Sequence, residues 1–197
     1  GPKAVLADGS EDEAYVIHEK DLLKGFSDLN GDNLAVNNLR FKPQPELITY
    51  YPDGSFGIQF RENFNGNVEL TYQVVDGKGG SIDAFNAFKI VNVNDRPELT
   101  GTPKALENGH EDICYIIKSS DLLQGWTDAD GDQLQIENLK TSNGELTDLE
   151  DGTWALHTTL NFNGTVDLSY LVTDGNGGVS EASQSLIVKP IKWLIKK

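Results

Sequence analysis

Residues 7–39 and 107–139 of this 197-residue chain are identical at 15 of 33 positions without a gap. That self-similarity constrains the fold more than any other feature. Gly9-Ser-Glu-Asp-Glu-Ala-Tyr15 answers Gly109-His-Glu-Asp-Ile-Cys-Tyr115, and Asp28-Leu-Asn-Gly-Asp32 answers Asp128-Ala-Asp-Gly-Asp132. The correspondence resumes at an offset of 98, where Asp53-Gly-Ser-Phe56, Asn63-Phe-Asn-Gly66 and Asp76-Gly-Lys-Gly-Gly80 meet Asp151-Gly-Thr-Trp154, Asn161-Phe-Asn-Gly164 and Asp174-Gly-Asn-Gly-Gly178. A repeat of about 100 residues has the length of a domain, not of a solenoid unit. The chain therefore reads as two copies of one module, 1–95 and 96–197.

Within each copy the apolar residues alternate over short runs bounded by Gly, Asn and Asp, which predicts β-strands. In copy one these runs are 14–18, 34–39, 46–51, 55–60, 67–75 and 83–93. Val68, Leu70, Tyr72 and Val74 fall on one face of a strand, as do Val166, Leu168, Tyr170 and Val172. Asp21-Leu-Leu-Lys-Gly25 and Asp121-Leu-Leu-Gln-Gly125 predict a single helical turn with an Asp N-cap and a Gly stop. Asn65-Gly66, Asn163-Gly164 and Asn176-Gly177 are turns suited to positive φ. Six or seven short strands per hundred residues predict an all-β, antiparallel sandwich. Proline ends a short polar joint, Asn92-Val-Asn-Asp-Arg-Pro97, which reads as stiff.

The formal charge of −15, from 31 acids against 16 bases, disfavours nucleic acid and anionic membranes as partners. The acids recur at matching places in Gly- and Asn-rich turns, a pattern that suggests cation ligands. Cys114, the single cysteine, sits between Ile113 and Tyr115 and is expected to be a buried, inert thiol. No stretch reaches the ~20 apolar residues of a membrane span, and no signal peptide is evident. Gly1-Pro2 resembles a protease scar from an expression tag, which suggests an excised fragment. The tail Ile191–Lys197 has no counterpart after copy one and is either a native transition or foreign to the protein.

The Glu11-Asp12 and Glu111-Asp112 pairs, the Asp128-Ala-Asp-Gly-Asp132 loop, the Asn-Phe-Asn-Gly turn, the Asp-Gly-x-Gly-Gly ending and the Asn92–Pro97 joint occur in one order, mostly twice. In this the chain resembles the cadherin-like tandem repeats of large bacterial (RTX-type) surface adhesins. The resemblance implies two Ig-like Greek-key sandwiches end to end, Ca2+ as the bound ion, and an extracellular, bacterial cell-surface location. It also implies a calcium cluster at the joint. Glu11 and Glu62 would be its upper acids, Asn94 and Asp95 its linker ligands, and Asp128, Asp130, Asp132 and Asp174 its lower-domain ligands. Asn92 replaces a usual aspartate and should weaken one ion. A second cluster of Asp28, Asn30, Asp32 and Asp76 would bind more weakly, because no domain precedes it here and Asn30 replaces an acid.

Calcium takes six to eight oxygens at ~2.3–2.6 Å, and alternate residues of a Gly-containing turn can supply several. Asp128-x-Asp130-x-Asp132 is not an EF-hand loop, since Gln133 holds the glycine position and Leu139 the closing glutamate position. The alternatives are a solvated turn for these aspartates and a surface acid beside Arg61 for Glu62. Tyr72, Tyr170, Trp126 and Trp154 read as core residues or, alternatively, as a sugar platform. His18, His110 and His157 lack metal spacing and read as surface residues.

Three functions are open at this level. The first is a calcium-rigidified spacer that supports cell adhesion, with neighbouring repeats of the same polypeptide as partners. The second is a ligand-binding module for a peptide or glycan, suggested by Phe41-Lys-Pro-Gln-Pro45 and Tyr50-Tyr51-Pro52, where copy one departs from copy two. The third, an enzyme, is disfavoured by the lack of a nucleophile elbow, a His/Cys metal set or a phosphate loop.

Overall fold

The alternation at Val68, Leu70, Tyr72 and Val74 is realised as a buried row on one strand, with exposed or half-buried residues between them. The computed structural model describes residues 4–191. Gly1-Pro2 and residues 192–197 of the tail lie outside them. The chain divides into two units, Gly1–Val93 and Asn94–Lys197.

Unit 1 contains β1 (Gly9–Ser10), β2 (Tyr15–His18), α1 (Glu19–Leu22), β3 (Ala35–Lys42), β4 (Leu47–Tyr50), β5 (Ser55–Gln59), β6 (Gly66–Val75) and β7 (Ser81–Val91). These strands form two sheets of order β1-β7-β6-β3 and β2-β5-β4. Ile17, Leu22, Phe56, Ile58, Leu70 and Ile90 lie in the core between them. Burying a side chain of this size contributes roughly 1.5–3 kcal/mol, so the two rows hold the sheets together.

Unit 2 repeats the plan with β9 (Gly109–His110), β10 (Tyr115–Lys118), α2 (Ser119–Leu122), β12 (Gln135–Thr141), β13 (Glu145–Asp148), β14 (Thr153–His157), β15 (Gly164–Thr173) and β16 (Val179–Lys189). Its sheets run β12-β15-β16-β9 and β10-β14-β13, and a short pair joins β8 (Glu98–Leu99) to β11 (Trp126–Thr127). Ile117, Leu156, Val166, Leu168, Tyr170 and Val172 are core residues, and Trp126 and Trp154 pack half-buried against them. Tyr72 and Tyr170 bury their rings and donate their hydroxyls to the carbonyls of Leu22 (2.9 Å) and Leu122 (3.2 Å). Burial pushes both phenols above their ordinary pKa.

Four local expectations are corrected. The sandwich is not wholly antiparallel: β1 pairs parallel with β7, and β9 parallel with β16. Strands of two residues have no alternation to read. The helical turns begin earlier than Asp21 and Asp121, after His18 and Lys118, and neither has a side-chain cap. The Glu19 N–H donates instead to the Gly54 carbonyl and the Ser119 N–H to that of Gly152, so the β4–β5 and β13–β14 hairpins satisfy a donor that a cap would otherwise take. Cys114 is exposed rather than buried, because it lies in the turn before β10, where Asp112 takes φ +59° and the alternation has not begun. Phe41, the first residue of the stretch that suggested a ligand-binding surface, is buried in the core instead.

Positive φ falls on Asn38 (+51°) and Asn138 (+53°). There the pairing of β3 with β6, and of β12 with β15, shifts by a bulge. Asparagine tolerates this left-handed conformation better than other residues with a Cβ. The repeated Asn-Leu therefore marks a bent strand.

Candidate metal centre

In unit 2 the loop between β11 and β12 is folded by one carboxylate. Asp128 Oδ1 accepts the N–H groups of Asp130 (3.0 Å) and Asp132 (3.1 Å), and Gly131 turns the chain at φ +79°. Asp128 Oδ2 is buried and has no hydrogen-bond donor among the described residues. Removing a carboxylate oxygen from water without a partner is costly. One oxygen from each of Asp128, Asp130 and Asp132 lies within 4.8 Å of the others. Oxygens around a common calcium, each at ~2.4 Å, can lie at most ~5 Å apart, so this set fits such an ion.

The Asp174–Gly178 loop, between β15 and β16, is built the same way. Asp174 Oδ1 accepts the N–H groups of Asn176 (2.7 Å) and Gly178 (3.0 Å), and Oδ2 accepts the Asn94 amide (2.8 Å). Asp174 is only 4% exposed. The Asn94 amide, followed by the backbone donors, holds its carboxyl below the usual carboxylate pKa despite its burial. Asn176 donates to Asp132 Oδ2 (2.7 Å), and the Asp95 N–H donates to Asp130 Oδ2 (2.8 Å). Asn94, Asp95, Asp130, Asp132 and Asp174 are thus tied into two loops and the segment that crosses them. Gly178 makes the crossing possible: a Cβ there would collide with the Asp174 carboxylate and with the backbone of Asp95 and Arg96.

Unit 1 has the same backbone with fewer charges. Asp28 Oδ1 accepts the N–H groups of Asn30 (2.7 Å) and Asp32 (3.1 Å), and Asp76 Oδ1 those of Lys78 (2.7 Å) and Gly80 (2.9 Å). The Lys78 and Gly80 donors hold the Asp76 carboxyl below its ordinary pKa. Lys78 stands where unit 2 has Asn176. Among the described residues, no bond equivalent to Asn176–Asp132 joins the two loops of unit 1.

Glu11 is 4% exposed. Its Oε1 accepts the Val93 N–H (2.5 Å) and its Oε2 the Asn65 amide (3.2 Å), which also reaches Asn92 Oδ1 (2.6 Å). Glu111 likewise accepts the Ile191 N–H (2.8 Å). Each glutamate therefore fastens its module's outgoing chain. Glu62 is exposed. Sequence reasoning gave no role to Asp12 and Asp112, which accept the N–H groups of Asn63 and Asn161 (both 2.8 Å) and hold these residues at positive φ. Their signal was the joint recurrence of Glu-Asp and Asn-Phe-Asn-Gly. Asn176 and Lys78 were missed because they occupy the variable position of Asp-Gly-x-Gly-Gly.

The family model of the cadherin-like domain matches residues 1–91 and again 93–189. The chain belongs to the cadherin-like domain family. Its solved structural neighbours include the human desmocollin-1 ectodomain (16% identity, TM-score 0.44, 96% of this chain and 41% of that one). Mouse clustered PcdhgC3 EC1-3 gives 13% identity and a TM-score of 0.48 over 95% of this chain and 65% of that one. An endo-fucoidan hydrolase of glycoside hydrolase family 107 gives 19% identity and a TM-score of 0.39, covering 98% of this chain and 28% of that one. The chain spans less than two thirds of the length of each of these structures. No curated protein matches the sequence. The oxygen-only donors of the second cadherin-like domain suit a hard cation such as calcium.

Proposed function

We propose that these cadherin-like domains form a calcium-stiffened, non-catalytic module of an extracellular bacterial adhesin of the RTX type, supporting adhesion as a spacer. The observation that carries this reading is Asp128 Oδ2, a buried carboxylate oxygen without a donor among the described residues, beside the carboxylates of Asp130 and Asp132. An ion there would be held by Asp128, Asp130 and Asp132, with Asp95, Asn94 and Asp174 as further oxygen donors nearby. Glu11 and Glu62 remain proposed ligands on the strength of the family resemblance. The weaker N-terminal set is Asp28, Asn30, Asp32 and Asp76.

Function under this reading lies in stiffness. Val93 is anchored to Glu11 and Asp95 to Asp130, so both sides of the short connection are tied down within their own domains. Calcium would supply the charge that keeps Asp130 and Asp95 in place. The carboxylates are occupied by backbone N–H groups in repeated turns, an arrangement that suits ligation rather than acid–base chemistry.

The decisive measurement is small-angle X-ray scattering of the full chain with calcium, with chelator, and as Asp95→Ala. Calcium-loaded wild type should give a narrow distribution of intramolecular distances, and the other two samples a broad one. Superimposable curves for all three would remove stiffness as the function.

A further inference from the structure

Unit 1 contains a cavity of about 290 Å³, bounded by α1, the bulged part of β3 and the β4–β5 hairpin. Its lining includes the rings of Tyr50, Tyr51 and Phe56 and the polar side chains of Glu19, Asn37 and Asn38. Tyr50 is 72% exposed and Tyr51 41%, unusual exposure for two adjacent rings on a domain with an ample core. Tyr50 pairs across the hairpin with Phe56, at a ring separation of 6.1 Å and a tilt of 43°. Tyr51 is placed by a glycine. A Cβ at Gly57 would come within 2.8 Å of the Tyr51 hydroxyl oxygen and 3.2 Å of its ring, so the ring rests on a bare stretch of β5.

The second domain shows which of these residues the fold itself requires. Strand register aligns Tyr50 with Asp148 and Gly57 with Ala155, and sequence aligns Tyr51 with Leu149, Glu19 with Ser119 and Asn37 with Glu137. The same hairpin forms without either tyrosine and with a Cβ at the glycine position. Folding therefore does not account for the aromatic pair, the glycine beneath it or the carboxylate opposite.

We propose that this cavity binds one neutral sugar residue of a glycan, with Tyr50 as the stacking platform and Tyr51, seated on Gly57, as the adjoining wall. A pyranose has a face of polarised C–H bonds that suits the electron-rich face of an aromatic ring, and a rim of hydroxyls that needs paired donors and acceptors. Asn37 Oδ1 accepts the Asn38 N–H (2.8 Å) and Asn38 Nδ2 donates to Gln73 Oε1 (2.6 Å), which leaves the Asn37 amide N–H groups as donors and the Asn38 amide oxygen as an acceptor for sugar hydroxyls. Glu19 Oε1 accepts the Val36 N–H (2.7 Å), which fixes the carboxylate and leaves Oε2 as an acceptor. The volume lies at the lower edge of small-molecule sites and suits one ring rather than an extended peptide. A chain of formal charge −15 disfavours acidic sugars. Two neutral amides and a largely buried Phe56 suit a polyol better than a cage for a methylated cation.

The test is a titration of the full chain, followed by amide chemical shifts, with oligosaccharides ending in mannose, galactose, glucose, fucose or N-acetylglucosamine. Tetramethylammonium and an unstructured peptide serve as competing probes. At least one glycan should shift amides 36–39 and 50–56 with a saturable, millimolar or tighter curve. Tyr50→Asp and Gly57→Ala, each taking the residue of the second domain, should weaken binding by about threefold to tenfold while leaving thermal unfolding in place. Tyr51→Leu tests the same wall without touching β5. Shifts with none of the glycans, shifts only with tetramethylammonium or peptide, or unchanged affinity in all three variants would overturn the proposal.

Discussion

The acidic loops of the two cadherin-like domains share a backbone and differ in charge. Asp28 and Asp128 each draw in the N–H groups two and four residues ahead, as do Asp76 and Asp174. Only the second domain places a third carboxylate at the centre, Asp130 against Asn30, and an amide rather than an ammonium at the variable position, Asn176 against Lys78. Loop shape and loop charge are therefore separate properties here. Backbone donors set the first, and under the proposed function the second would set the affinity for calcium.

The largest expected consequence is thermal. An ion that binds only the folded state adds about 2.7 kcal/mol at a hundredfold excess over Kd, which shifts the melting of a domain this size by about 10 °C. All three tryptophans fall within 94–197, and Trp126 and Trp154 pack against the core of unit 2, so the change in tryptophan emission on unfolding follows that domain while calorimetry follows both. Chelation should lower the emission transition by about that amount and move the first domain's transition less. Equal shifts in both domains would break the comparison, and no shift in either would remove calcium from it.

Exchanging the differing residues sharpens the contrast. Asp130→Asn should reduce calcium affinity of the second domain's loops about tenfold, the loss of one charged ligand. Asn30→Asp with Lys78→Asn should raise that of the first domain by a similar factor, measured by calorimetric titration. If the reciprocal pair leaves the first domain unchanged, something other than loop charge limits it.

The smallest effect is one the domains should share. Asp76 and Asp174 both have carboxyls held below the ordinary pKa, so each stabilises its loop fully above the unfolded value of about 3.9. That contribution is lost as pH falls through the lower folded value. Calcium-free acid titration should therefore show both domains losing stability below about pH 4, with the Asp174→Asn variant flatter in that window for unit 2. A second domain that weakens at neutral pH instead would mean that Asp174 is not held in its charged form.

Much of this arrangement is legible in the residues. The alternation in 67–75 and its counterpart gave β6 and β15 because one face of each is buried and the other wet. The recurring Asp-x-x-Gly-Asp and Asp-Gly-x-Gly-Gly named the loops. What pattern does not encode is contact between distant residues. The fastening of Val93 by Glu11, the support of Asn63 by Asp12 and the seating of Tyr51 on Gly57 each join positions that no periodicity links. The apolar flanks of Cys114 suggested burial because sequence does not show where a turn ends and a strand begins.

The parallel pairing of β1 with β7, and of β9 with β16, has a mechanical consequence. In each domain the incoming chain runs beside the outgoing one in the same direction, with Gly9 opposite Ile90 and Gly109 opposite Val188. Tension applied through the chain pulls the start of the first strand and the end of the last one in opposite senses, along the strand axis. The hydrogen bonds between them, extended by Glu11 to the Val91 carbonyl and by Glu111 to that of Lys189, are loaded in shear and must yield together instead of unzipping singly. A tether built from such domains resists a steady pull with the seam that joins its two ends.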